Sequence, residues 1–114
     1  MAYNYREEMK KDIQNYLDEN NIILTEDNCD QVFEALYFAD SVTGKTSGSY
    51  TNRADAKKNL EGNADLVREM CESFNCADDV LEWFLCEYYE SIDVYVRCYV
   101  LDEVFQTFMN KIKK

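Results

Sequence analysis

Proline and histidine are both missing from this chain, and only three of its 114 residues are glycine. Without proline, no helix is interrupted by a residue that lacks its amide. With so little glycine, few positions invite a left-handed turn. Long β-branched runs are scarce too. These absences argue for helices joined by turns at the few glycine, serine and asparagine clusters. The lack of histidine removes the commonest proton shuttle near neutral pH. Bases are also in short supply. Twelve lysines and arginines stand against 23 acids, for a formal net charge of −11. So negative a chain repels nucleic acid and anionic membrane and attracts basic partners. The longest apolar stretch, residues 94–101, is broken by Arg97 and is far too short to span a bilayer. The opening MAYNYREEMKKD has no basic segment followed by an apolar core, so no signal peptide is visible. Five cysteines, an odd number in a chain without a signal, point to reduced thiols and a cytoplasmic setting.

What the chain does have is material for a core. Hydrophobic residues make up 46%, including one tryptophan, nine tyrosines and six phenylalanines, enough to fill one domain over residues 1–114. Tyr5, Met9, Ile13, Tyr16 and Leu17 recur at helical spacing and predict a helix over 4–19, stopped by Asn20 and Asn21. Thr25 can cap a second helix by accepting the amide of Asp27 or Asn28. That helix carries Cys29, Val32, Phe33, Leu36 and Tyr37 on one face. Residues 41–51 lack helical periodicity and read as an exposed loop or short hairpin. Further helices are expected over 52–60 and 64–74, with a break at Gly62 and Asn63. Asp78 or Asp79 opens another, with Val80, Leu81, Phe84, Leu85 and Tyr88 inward. The last helix, 93–112, carries a ladder of Val94, Cys98, Leu101, Phe105, Phe108 and Ile112, and its first half is apolar nearly all round. The expected fold is an all-α, compact single-domain bundle of five to six helices with one exposed Gly/Ser-rich loop.

Residues 39–46 raise a question of chemistry. Ala39, Gly44, Lys45 and Thr46 fit a relaxed phosphate-loop pattern. A working loop of that kind follows a buried strand and opens a helix, so that amides and dipole converge on phosphate. Here the preceding residues read as helix and Ser47-Gly48-Ser49 reads as a further turn. The pattern is therefore a turn, and no nucleotide cofactor is expected. Cys71 and Cys76 are five apart, with no CxxC and no histidine, which does not suit structural zinc. Cys71 and Cys98 sit on apolar ladders, where thiols act as small hydrophobes. A catalytic cysteine lacks a histidine base, and no stretch has the ligand spacing of a calcium loop. No catalytic residue, metal site or cofactor is expected. Arg97, alone among apolar neighbours, reads as a core arginine bonded to a carboxylate or to loop carbonyls, with a functional arginine as the other reading.

The acids are unevenly spread. Residues 61–93 hold ten of them against the single base Arg68, while 94–114 carry a small positive excess. Asp65, Glu69 and Glu72 follow i, i+4, i+7 on one helix; Asp79, Glu82, Glu90 and Asp93 continue the pattern, flanked by Asp78 and Glu87. Like charges at this spacing cost a helix a few tenths of a kcal/mol per pair, roughly. The cluster is either a solvated face that keeps the protein soluble or a surface that imitates phosphate. Carboxylates on successive turns lie about 5–6 Å apart, close to the phosphate interval of a nucleic-acid strand.

The strings SVTGKTSGSYT (41–51), NL (59–60), DLV (65–67) and DVYVRCYVL (93–101) resemble a pattern in short acidic proteins of phages and mobile elements in Firmicutes. In that pattern a Ser-Gly-Ser-Tyr loop precedes an acidic helix, and a DVxxRCYLL-like segment opens the last one. The likeness covers residues 41–105, and Lys45-Thr46 departs from the Asn-Ala of that loop. The resemblance implies a small non-enzymatic protein that binds and blocks a host protein, with CRISPR nucleases and restriction enzymes among the targets. The expected function is anti-CRISPR-like inhibition of a basic nucleic-acid-binding host protein in the host cytoplasm. The partner-binding residues would be Asp65, Glu69, Glu72, Asp78, Asp79, Glu82, Glu87, Glu90 and Asp93, with Ser47, Ser49 and Tyr50 from the loop. The alternative is a regulatory or scaffold protein that self-associates, for instance as a homodimer, through Tyr89, Tyr95 and Tyr99.

Overall fold

A computed structural model describes residues 3–44, 53–73 and 89–113, and these contain five helices and no strand. They are α1 (Tyr5–Glu19), α2 (Cys29–Tyr37), α3 (Arg53–Glu61), α4 (Ala64–Ser73) and α5 (Tyr89–Ile112). At about 1.5 Å per residue the 24 residues of α5 span roughly 36 Å, most of the longest extent of a 42 × 26 × 26 Å molecule. The other four helices all pack on α5, α1 and α3 most extensively. The helix expected to open at Asp78 or Asp79 lies outside the described residues.

Local chemistry sets the helix ends. The Asn4 side chain accepts the Glu7 amide at 3.1 Å, and Glu7 and Glu8 place negative charge at the positive end of α1. At the other end Asn21 adopts φ 53°, the left-handed conformation that asparagine tolerates. The Ile22 amide then donates to the Leu17 carbonyl and the Asn21 amide to that of Asp18, a Schellman closure. Before α2, Thr25 and Asn28 cap each other: each side-chain oxygen accepts the other's amide, at 2.8 and 3.2 Å. Between α3 and α4 the Asn63 side chain donates to the Tyr3 carbonyl at 2.6 Å and the Asn59 carbonyl at 2.8 Å. That one residue ties the start of the chain to the α3–α4 corner.

The core runs along α5 and takes Tyr5, Met9, Ile13 and Leu17 from α1, Val32 and Leu36 from α2, Ala56 and Leu60 from α3, and Leu66, Val67, Met70 and Cys71 from α4. Two expectations need correction. Residues 41–44 are not part of an exposed loop. Val42 and Thr43 are fully buried, Gly44 is buried, and only Ser41 of the four is exposed. The Thr43 hydroxyl donates to the Tyr37 carbonyl at 2.9 Å, so a polar side chain closes the α2 end from inside the core. Residues 45–52 lie outside the described residues. The ladder expected on the last helix holds at Leu101 and Phe105, but not in the first three turns. There Val94 and Cys98 are half-buried and Tyr95 is 56% exposed, while Ile92, Asp93, Val96, Arg97 and Val100 face inward. The reason is a buried ion pair that claims the inner face.

Candidate functional site

That ion pair is the first polar feature of the site. Arg97 Nε donates to Asp93 Oδ2 at 2.8 Å across one turn of α5, and the Tyr5 hydroxyl donates to Asp93 Oδ1 at 2.5 Å. The Arg97 guanidinium lies over the rings of Tyr3 and Tyr5, 5.4 and 5.8 Å from their centroids. Burial works against the Arg97 charge, but the Asp93 carboxylate and its hydrogen bond, with Tyr3 and Tyr5, hold its pKa above the ordinary value. Burial, then the Asp93 charge and bond, push the Tyr5 phenol well up. Nearby on α1, burial raises the Asp12 carboxyl to about 6, with Glu8 adding to the shift and Arg97 and Lys11 opposing it. Asp93 therefore does not belong to the acidic surface. It is 1% exposed and answers the charge of Arg97, the core arginine bonded to a carboxylate that the sequence suggested.

The second feature lies outside, where α4 and α5 meet. Burying Leu66, Val67, Met70 and Cys71 leaves Asp65, Glu69 and Glu72 exposed on the opposite face of α4. Asp65 and Glu72 pair with no base among the described residues. Glu69 does: Arg6 Nη2 is 3.0 Å from its Oε2, while Arg6 Nε is 2.8 Å from Oε2 of Glu103 on α5. One guanidinium thus spans two helices, and the hydrogen bond to Glu103 is the main cause holding the Arg6 pKa above its usual value. The Tyr99 hydroxyl donates to the same Glu69 oxygen at 3.1 Å. Asp102 is exposed beside Glu103.

These groups rim an open groove of about 910 Å³ between α2, α4 and α5. Phe33 and Tyr37 form one wall, Tyr95, Cys98 and Tyr99 another, and Glu69, Asp102 and Glu103 supply carboxylates. Among its described lining are Glu69, expected to meet a basic partner, and Tyr95 and Tyr99 of the self-association reading. Asp102 and Glu103 were missed because they fall in the segment with a positive excess, although Tyr95, Tyr99, Asp102 and Gln106 already share a stripe at i, i+4, i+7, i+11. Asp78, Asp79, Glu82, Glu87, Ser47, Ser49 and Tyr50 lie outside the described residues, and of Glu90 only the helical backbone is described.

In the phosphate-loop-like stretch, the amides of Val42, Thr43 and Gly44 donate to the carbonyls of Ala39 and Asp40 and are not aimed at a ligand. Cys29 is a free thiol, and no group of three or more acids and cysteines among the described residues is placed to hold a metal ion. No helix among them is long and apolar enough to cross a membrane. A scan of protein-family models, a search of curated proteins and a search of solved structures each return no match for this chain.

Proposed function

We propose that this chain is a non-enzymatic binding protein that docks on a basic, nucleic-acid-handling host protein and inhibits it by occupying the surface that holds phosphate. The observation that carries the reading is the exposure, on adjoining helices, of Asp65, Glu69, Glu72, Asp102 and Glu103. Arg6 neutralises part of this face, so Asp65, Glu72 and Asp102, which pair with no base among the described residues, carry most of the attraction. The resemblance to small acidic phage and mobile-element proteins gives the same reading a setting, with a CRISPR nuclease or a restriction enzyme as target. The test is capture of the partner from a Firmicutes lysate on the immobilised chain, eluted in a salt gradient. Attraction between exposed charges weakens as salt screens them. Elution at moderate salt, shifted to lower salt by Asp65→Lys with Glu72→Lys, supports the reading; retention that ignores both salt and substitution refutes it.

A second reading, a regulator that self-associates, rests on Tyr95. A tyrosine 56% exposed beside Tyr99 offers an aromatic surface for a second copy. Light scattering separates the two: a tight dimer abolished by Tyr95→Glu favours self-association.

A further inference from the structure

The groove between α2, α4 and α5 specifies more than a general negative field. Its walls are formed by Phe33, Tyr37, Tyr95 and Tyr99 and its rim by Glu69, Asp102 and Glu103; no lysine or arginine is among its described lining, and Arg6 meets two of the rim carboxylates from outside. Aromatic faces and carboxylates together suit one kind of side chain, a flat cation that stacks on a ring while its edge donates to oxygen. The molecule already contains an instance of half this chemistry. Arg6 reaches Glu69 and Glu103 with two different nitrogens, so the spacing of those carboxylates accepts a guanidinium. Asp102 lies on the same helix, next to Glu103 and three residues on from Tyr99.

We infer that this groove receives an arginine-bearing segment of the partner protein, one guanidinium stacking on Tyr95 or Tyr99 and donating to Asp102. The inference rests on the proposed acidic docking face and names the side chain that enters it. An ammonium group fits less well, because it is a strongly hydrated point charge without a planar face to stack.

The experiment titrates the full chain, observed by backbone amide NMR, with a twelve-residue amphipathic peptide that has arginines on one helical face and leucines on the other. Its counterpart replaces each arginine by citrulline, which keeps the shape and removes the charge. The expected result is shift changes centred on Tyr95, Tyr99 and Asp102, with binding at least tenfold weaker for the citrulline peptide. Asp102→Asn and Tyr95→Ala each weaken the arginine peptide at least fivefold. Glu19→Gln, which removes one charge at the end of α1, changes it less than twofold. Equal losses for Asp102→Asn and Glu19→Gln overturn the groove but leave the acidic docking face standing, since a diffuse field treats the two charges alike. Equal affinity for the two peptides, or no binding of either, overturns the groove and counts against the docking face as well. Concentration-dependent shifts at Tyr95 without peptide would show that a second copy occupies the groove, and also overturn the inference.

Discussion

Replacing Arg97 by leucine tests the packing account most severely. Arg97 is 3% exposed and its partner Asp93 is 1% exposed, so removing the guanidinium leaves a carboxylate in the interior held, among the described residues, by Tyr5 alone. Breaking a buried pair from one side typically costs about 3–5 kcal/mol. A domain of this size has about 5–15 kcal/mol in total, so Arg97→Leu should leave it marginal. With a urea slope of about 2 kcal/mol/M the unfolding midpoint falls by roughly 1.5–2.5 M. Asp93→Leu alone should also destabilise, because it takes the carboxylate away from a buried guanidinium. The triple variant Tyr5→Phe, Asp93→Leu, Arg97→Leu leaves no unpaired group among the three, and buried polar clusters exchanged as a whole for apolar side chains come out near neutral or better. Urea unfolding followed by circular dichroism gives all three values. A loss below about 1 kcal/mol for Arg97→Leu would mean that water already reaches the pair. A triple variant as unstable as the summed single ones would mean that the cluster's polar bonds, rather than its stranded charges, hold the fold.

Three other outcomes follow from single residues. Asp12 has its folded pKa raised to about 6 from 3.8, chiefly by burial, so its effect on stability is most favourable when protonated and is lost as pH rises from about 4 to about 6. Asp12→Asn should therefore stabilise the protein at pH 7.5 and lose that advantage by pH 4; greater destabilisation at pH 7.5 than at pH 4 would show that attraction to Arg97 outweighs burial. Asn63→Ala removes both side-chain bonds at the α3–α4 corner and should cost about 1–2 kcal/mol in urea unfolding, with loss of amide protection at the start of the chain. Thr43→Val keeps the shape but strips the Tyr37 carbonyl of the hydroxyl that donates to it, for a cost of about 1 kcal/mol in the same assay; no change would place water at that carbonyl.

The bounds of α1, α3 and α4 are legible to within a residue because caps and turns are local chemistry, whereas α2 begins only at Cys29 and α5 already at Tyr89 rather than Asp93. Asn4, Thr25 and the Asn20-Asn21 pair each act within a few residues of their own position, as Asn63 does at Asn59, while its bond to Tyr3 is long-range. The inner face of α5 is not legible in that way. A helix apolar nearly all round gives no moment to point with, and Asp93 reads as one more surface acid until its i+4 partner is known to be buried. The pairing of Asp93 with Arg97 was visible as a spacing, but only burial turns a spacing into a core bond. Residues 41–44 misled for a related reason. Their turn-forming composition suggests exposure, whereas a threonine that bonds backward to Tyr37 can close a turn inside the core. At the site, Asp65, Glu69 and Glu72 were found from periodicity alone. Asp102 and Glu103 stay hidden in a sum of charge along the chain, because the groove gathers charge across helices.

The most direct measurement is competition for nucleic acid. The captured partner is loaded with fluorescent DNA, the full chain is added, and displacement is followed by anisotropy at several salt concentrations. Stoichiometric release of DNA that weakens steeply with salt, and fails for the Asp65→Lys, Glu72→Lys, Asp102→Lys variant, is what an acidic inhibitor requires. A ternary complex in which DNA stays bound, or full activity of that charge-reversed variant, would contradict it.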